Sequence, residues 1–110
     1  MKTVDDATAL DREIGTKPTA ALFLANWCPF CRSFAPIFAA VMDSPSSYEP
    51  LQVILDDEDN PLWDAYHVDV VPTVVFFHGG KIVKRLDGRA GVGLNENDLR
   101  AAIRGAPASA

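Results

Sequence analysis

Apolar and polar residues are distributed along this chain in blocks that predict alternating strands and helices. Thr19–Ala25 is a short, continuous apolar run, which fits a strand buried on both faces. Leu51–Leu55 and Thr73–Phe77 predict two further strands of similar length. Gly79-Gly80 then predicts a hairpin turn into a last strand, Lys81–Leu86.

Helical spacing of apolar residues predicts four helices around these strands. Their expected spans are Val4–Ile14, the cysteines to about Met42, Asn60 to about Tyr66, and Asn95 or Asn97 to about Arg104. Asp5 or Asp6 is expected to cap the first helix, and Pro36 to kink the second. Residues 44–47 are predicted to form a loop and residues 105–110 a frayed terminus. The order of these elements predicts an α/β chain with a central sheet covered on both faces.

Length, composition and charge narrow the class of protein. A chain of 110 residues has the size of one domain, predicted to span residues 1–110, and its 48% hydrophobic content is that of an ordinary globular protein. The net charge of −5 argues against binding to nucleic acid, which requires a basic face. The polar segment Met1–Asp6 lacks the apolar stretch of a signal peptide, and no segment approaches a membrane span. We therefore expect a cytoplasmic protein that does not contact membranes.

The two cysteines of the chain, Cys28 and Cys31, lie three positions apart in the hexapeptide Trp27–Arg32. A disulfide between them would close a loop too short for much stabilisation, about 2 kcal/mol from loop entropy. A zinc site would need two more soft ligands at related spacing, and His67 and His78 lie far from the cysteines in sequence. A cytosolic pair of this kind is typical of a dithiol that opens and closes as a redox couple.

The elements on either side of the cysteines suggest how each thiol would react. A strand that runs directly into a helix places Cys28 at the helix N-terminus, where unpaired N–H groups and the helix dipole stabilise a thiolate. Cys31 lies one turn further along and is shielded by the helix. Cys28 is therefore predicted to attack a substrate disulfide and Cys31 to resolve the mixed disulfide, without a metal or a bound cofactor.

Four features together resemble the thioredoxin family over residues 19–104. They are Trp-Cys-x-x-Cys-Arg after an apolar strand, Pro36 five residues beyond the second cysteine, Val71-Pro72-Thr73 before another strand, and Gly88 beyond the hairpin. The resemblance implies the thioredoxin fold, with a central mixed sheet of four to five strands flanked by about four helices. It implies a monomer that reduces disulfides of client proteins and receives electrons from a thioredoxin-reductase-type donor.

The same resemblance implies a substrate-binding surface around the cysteines. The bond before Pro72 would be cis and would face the disulfide, and Val71 would offer backbone hydrogen bonds to a bound substrate segment. Trp27, the dipeptide Pro29-Phe30 and Gly88 would complete an apolar docking surface.

This chain departs from the usual thioredoxin pattern at three places. The position of the buried acid before the motif is Leu22, and the position of its lysine partner is assigned to Val53. Without that acid we expect slower resolution of mixed disulfides and a weaker pH dependence near neutrality. Pro29-Phe30 is closer to the glutaredoxin dipeptide, which predicts a less reducing couple. Arg89–Gly93 is longer than the thioredoxin loop, and whether it changes the choice of partner is left open.

Three other readings remain. A glutathione-dependent, glutaredoxin-like enzyme is favoured by Pro29-Phe30 but opposed by Trp27 and by the lack of a Gly-Gly-Asp element after the hairpin. A non-catalytic docking module with this fold and a zinc-binding dithiol are the others. The acidic run Asp56–Asp59 lacks the spacing of a calcium loop and is interpreted as a solvated turn.

Overall fold

The computed structural model describes residues 1–44 and 47–107, in which five strands and four helices follow one another. In chain order these are β1 Lys2–Val4, α1 Ala7–Ile14, β2 Thr19–Leu24, α2 Pro29–Met42, β3 Glu49–Ile54, α3 Leu62–Ala65, β4 Thr73–His78, β5 Lys81–Leu86 and α4 Glu96–Gly105. Part of the predicted loop at 44–47, and of the predicted frayed terminus at 105–110, lies outside the described residues. From α1 onward the order of elements expected from the sequence is confirmed.

The strands form one mixed sheet in the order β1-β3-β2-β4-β5. The strands β1 and β2 both run parallel to β3, while β4 pairs antiparallel with β2 and with β5. All six residues of β2 are buried, because this strand has a neighbour on each side and is covered on both faces. The mixed, helix-flanked sheet confirms the predicted fold class.

The N-terminal segment differs from the prediction. Lys2–Val4 forms a short edge strand, with Lys2 in register with Leu51, and is not the start of a helix. The helix begins only after Asp6, whose side chain accepts a hydrogen bond of 2.8 Å from the N–H of Ala9. A three-residue strand with one buried side chain is too short to show a periodic pattern, so the strand was missed and Val4 was wrongly placed in the first helix.

Helix α2 packs against β2, β3 and α4 through a broad apolar face, with Phe34 and Phe38 fully buried. Pro36 lies inside this helix on its exposed side. At the other end of the chain, Asn95 caps α4 in a reciprocal capping box with Asp98, which decides between the two predicted caps. These contacts fix the N-termini of α2 and α4 relative to the sheet.

Candidate active site

Cys28 occupies the N-cap position of α2, between the end of β2 and the first helical residue, Pro29. Its backbone is extended, with φ −91° and ψ 121°, and its carbonyl accepts the first helical hydrogen bond, from the N–H of Arg32 at 3.1 Å. The N–H groups of the first helical turn have no helical partner and point toward this end of the helix. The predicted position of Cys28 at the helix N-terminus is thus confirmed, and Pro29 fits N1 because it lacks an N–H.

The loop before β4 forms the wall that faces Cys28. The Cys28 thiol lies 3.7 Å from the carbonyl oxygen of Val71, to which it donates a weak hydrogen bond. The Val71–Pro72 peptide bond is cis, as the resemblance implies, and both residues are buried. Two segments more than forty residues apart in sequence therefore meet at the sulfur of Cys28.

Cys31 lies one turn deeper and has an exposed fraction of 1%, compared with 7% for Cys28. Its sulfur accepts a hydrogen bond of 3.5 Å from the N–H of Ala25, the residue after β2. Burial raises the pKa of the Cys31 thiol from its ordinary value of 9.0 to about 12, because the thiolate loses its hydration. Both cysteines are free thiols, so the site is described in its reduced state.

Trp27 flanks the cysteines with an indole that is 52% exposed. Its Nε1–H donates to the carbonyl oxygen of Asp56 at 3.0 Å. The Asp56 carboxylate in turn accepts from the backbone N–H of Asn26 at 2.6 Å and from its side-chain amide at 3.0 Å. These bonds hold Asn26 and Trp27, the two residues before Cys28, against Asp56, which lies two residues beyond the end of β3.

Asp56 was not predicted as a site residue. The sequence presented it as one of four consecutive acidic residues, with nothing to separate it from its neighbours. The available signal was its place just beyond β3, because parallel strands β2 and β3 bring their carboxyl ends to one edge of the sheet. Cys28 follows β2 at that same edge.

Gly88 and Phe30 lie on the remaining sides of the site. A Cβ added to Gly88 would overlap the carbonyl oxygen of Pro72, so only glycine permits this close approach. Phe30 and Pro29 are exposed at the start of α2. Gly88 thus lies against Pro72 and Val71 against Cys28, while Trp27, Pro29 and Phe30 adjoin Cys28 along the chain.

Leu22 and Val53, which take the places of the usual buried acid and its lysine partner, are not neighbours in the sheet as expected. Leu22 is fully buried, and the register places it beside Gln52 on β3. Val53 is in register with Phe23, so its side chain projects from the opposite face of the sheet. The pairing of Leu22 with Val53 was therefore wrong, and half-buried Gln52 occupies the position beside Leu22.

The described part of the chain lacks both a metal-binding cluster and a helix able to span a membrane. No group of three or more His, Cys, Asp or Glu side chains there is arranged to hold a metal ion. Within the same residues, every helix is too short or too polar to cross a membrane.

A family model described as Thioredoxin matches residues 2–104. The chain belongs to the thioredoxin family. It is 30% identical over 105 residues to the thioredoxin of Mycoplasmoides gallisepticum, a match that covers 94% of this chain and 100% of that protein. The solved thioredoxin of Fasciola hepatica superposes with a TM-score of 0.77 at 29% identity, over 97% of this chain and 100% of that one.

A further relative is the bifunctional thioredoxin reductase/thioredoxin of Mycobacterium leprae. It is 32% identical over 84 residues, which make up 76% of this chain but only 18% of that protein. Together with the family match, these relatives make this thioredoxin-family protein a thiol–disulfide oxidoreductase.

Proposed function

We propose that this protein reduces or exchanges disulfides of client proteins, with Cys28 as the nucleophile and Cys31 as the resolving thiol. The main support for this proposal is the difference in position and burial between the two sulfurs. Cys28 lies at the helix N-terminus on the rim of the site, whereas Cys31 lies behind it, with a pKa raised to about 12 by burial. A thiol that stays protonated at neutral pH is a poor first attacker and is retained for the second step.

Two displacements transfer two electrons. The Cys28 thiolate attacks one sulfur of the client disulfide, the client S–S bond breaks, and the released client thiolate takes up a proton. Cys31 loses its proton and attacks the sulfur of Cys28 in the mixed disulfide, the bond between Cys28 and the client breaks, and the second client thiolate leaves and takes up a proton. The products are a client dithiol and a Cys28–Cys31 disulfide, so the client is reduced and this protein is oxidised.

The client segment is proposed to lie across Trp27, Phe30 and the Val71-Pro72 loop. The Val71 carbonyl, which accepts from the Cys28 thiol, becomes available to accept a hydrogen bond from an extended client peptide once that sulfur is engaged. Exposed aromatic side chains on either side of Cys28, those of Trp27 and Phe30, supply apolar contact at little entropic cost, since each has only two side-chain torsions. Pro29 and Gly88 border the same surface.

The oxidised form needs a reductant, and we propose a thioredoxin-reductase-type protein. The name of the Mycobacterium leprae relative joins such a reductase to a thioredoxin in one protein. A cytoplasmic location and a monomeric state stay predictions from the sequence, which gel filtration and localisation of the tagged protein would test.

Trapping experiments test the assignment of the two thiols. Cys31→Ser is expected to accumulate a mixed disulfide through Cys28 when mixed with oxidised insulin, because the second displacement cannot occur. Cys28→Ser, the matched control, is expected to accumulate none, since buried Cys31 is the remaining thiol. Equal trapping by both variants, detected by mass spectrometry, would contradict the assignment.

The electron donor separates this proposal from a glutaredoxin-like activity. We expect faster reduction of the oxidised protein by a thioredoxin reductase with NADPH than by glutathione. Faster reduction by glutathione would instead support the glutaredoxin-like reading. Full biological activity of Cys28→Ser would favour a docking module.

A further inference from the structure

The segment between β5 and α4 contains a closed turn, residues Arg89–Gly93. The N–H of Gly93 donates to the carbonyl of Arg89 at 2.8 Å, and the N–H of Arg89 donates back to Gly93 at 3.3 Å. Gly91 and Gly93 have φ values of +72° and +77°, a region that favours glycine. The Arg89 guanidinium also contacts the carboxylate of Asp98 at 3.3 Å, which joins the turn to the N-terminus of α4.

Both ends of this turn are anchored on the proposed site. At its start, Gly88 lies against the carbonyl oxygen of Pro72 so closely that a Cβ would overlap it. At its end, a Cβ added to Gly93 would lie 2.9 Å from the Cβ and 3.1 Å from the Cγ of Phe30. The residues between these anchors therefore span from the Pro72 wall to the dipeptide between the cysteines.

The turn also carries an exposed apolar side chain, that of Val92, next to the glycine that lies against Phe30. Five large hydrophobic side chains are exposed in the described residues, and Trp27, Phe30 and Val92 are three of them, with Val92 59% exposed. The Cα of Val92 lies one peptide unit, about 3.8 Å, from that of Gly93, which touches Phe30. Apolar side chains that share one exposed face indicate a contact surface for another molecule.

We propose that the Arg89–Gly93 turn determines substrate specificity, by fixing Phe30 through Gly93 and by presenting Val92 to client segments that carry an apolar residue beside the attacked cysteine. This inference rests on the proposed function and names the client chemistry of the same site. When a client cysteine is bound to Cys28, the client side chains next to that cysteine lie a few ångströms from the Cys28 sulfur, within reach of Phe30 and Val92. The closed hydrogen bonding and the two anchors keep Val92 in place before a client binds, which lowers the entropic cost of the contact.

The test compares three disulfides: two peptide disulfides that differ only in Leu or Ser beside the cysteine, and bis(2-hydroxyethyl) disulfide. Val92→Ser is expected to lower the ratio of kcat/KM for the Leu and Ser peptides about fivefold, the effect of losing a partly buried valine contact. Turnover of the small disulfide is expected to stay unchanged, because it is too small to reach residue 92. Ile82→Ser is the matched control, since Ile82 is an exposed apolar residue near the opposite end of β5.

A second pair of variants isolates the contact with Phe30. Gly93→Ala and Gly79→Ala introduce the same methyl group at the same kind of positive φ, but only the former meets Phe30, since Gly79 lies in the hairpin between β4 and β5 and no atom lies within 4 Å of a Cβ there. We expect Gly93→Ala to lower the Leu/Ser ratio and Gly79→Ala to leave it unchanged. An unchanged ratio in Val92→Ser, or an equal fall in Ile82→Ser, would overturn the inference. Failure of the unmodified protein to reduce any of the three disulfides would instead refute the proposed function.

Discussion

Raising the pH from 7 to 9 is expected to accelerate the resolving step of this protein about a hundredfold, because Cys31 must lose a proton before it attacks. Its pKa of about 12 means that the thiolate fraction rises about tenfold per pH unit over this whole range. Burial is the largest cause of the shift, and the neighbouring Cys28 also raises the pKa of Cys31. This expectation replaces the weaker pH dependence near neutrality that the missing acid alone suggested.

The size of the kinetic penalty follows from the same pKa. At pH 7 about 10⁻⁵ of Cys31 is thiolate, compared with about 10⁻² for a thiol at the ordinary value of 9.0. A more basic thiolate is also more nucleophilic, so its rate constant for attack is about 30-fold higher over three units of pKa, which offsets part of the loss. The resolving step should therefore be about 30-fold slower than with an unshifted thiol.

Stopped-flow measurement with a limiting aromatic disulfide, dithiobis(nitrobenzoate), separates the two steps. The rate of the first release of thionitrobenzoate depends on protein concentration and reports Cys28, whereas the rate of the second is independent of concentration and reports Cys31. Leu22→Asp places a carboxylate on β2, on the face that packs against α2, and is expected to accelerate the second phase about tenfold or more at pH 7 by acting as a base. Leu22→Asn is the control of equal size without a titratable group.

Two results would refute this reasoning. The first is a second phase in the unmodified protein whose rate does not change between pH 7 and 9. The second is equal acceleration by Leu22→Asp and Leu22→Asn, which would indicate loosened packing and not proton transfer. Both variants bury a polar group and are expected to lose about 2–4 kcal/mol of unfolding free energy. The pH dependence of the unmodified protein tests the argument even if neither variant folds.

Three further predictions concern stability. Since burial raises the pKa of Cys31, the unfolded chain releases this proton first, and urea unfolding should show that stability falls by about 1 kcal/mol between pH 8 and 10 relative to Cys31→Ala. Gly88→Ala should lower the melting temperature and disulfide reductase activity together, because its methyl group overlaps the Pro72 carbonyl. Asp56→Ala should cost about 1 kcal/mol and shift the emission of Trp27, since two hydrogen bonds to the preceding residue are lost.

Local patterns were sufficient to predict most of the sheet and the position of the cysteines. Thr19–Ala25 and Thr73–Phe77 are apolar along their whole length because both faces of these central strands are covered, and this signal does not depend on knowing their partners. The N-cap position of Cys28 followed in the same way from a strand that leads directly into a helix. Asn95, with an acidic residue three positions later, carried the local signature of a capping box.

Features that depend on pairing between distant segments could not be predicted in this way. The edge strand Lys2–Val4 exists because β3 offers it a parallel partner, and its own three residues carry almost no pattern. The face on which Val53 lies is set by the register of β3 against β2, and a change of one residue reverses it. The contacts of Asp56 with Asn26 and of Gly93 with Phe30 join segments 30 or more residues apart, where no local signal operates.

The proposed order of reaction of the two thiols can be traced to a single turn of α2. Cys28 and Cys31 are identical groups three residues apart, which along a helix is about 4.5 Å. Despite this short distance, the Cys28 sulfur lies at the rim against the Val71 carbonyl, whereas the Cys31 sulfur is buried and accepts from the N–H of Ala25. Because burial is the largest cause of the raised pKa of the Cys31 thiol, this ordering does not require a buried acid. Replacing the acid by Leu22 would therefore slow the second displacement while leaving the direction of attack unchanged, which makes the speed of resolution, and not its order, the property in which this chain departs from the usual thioredoxin pattern.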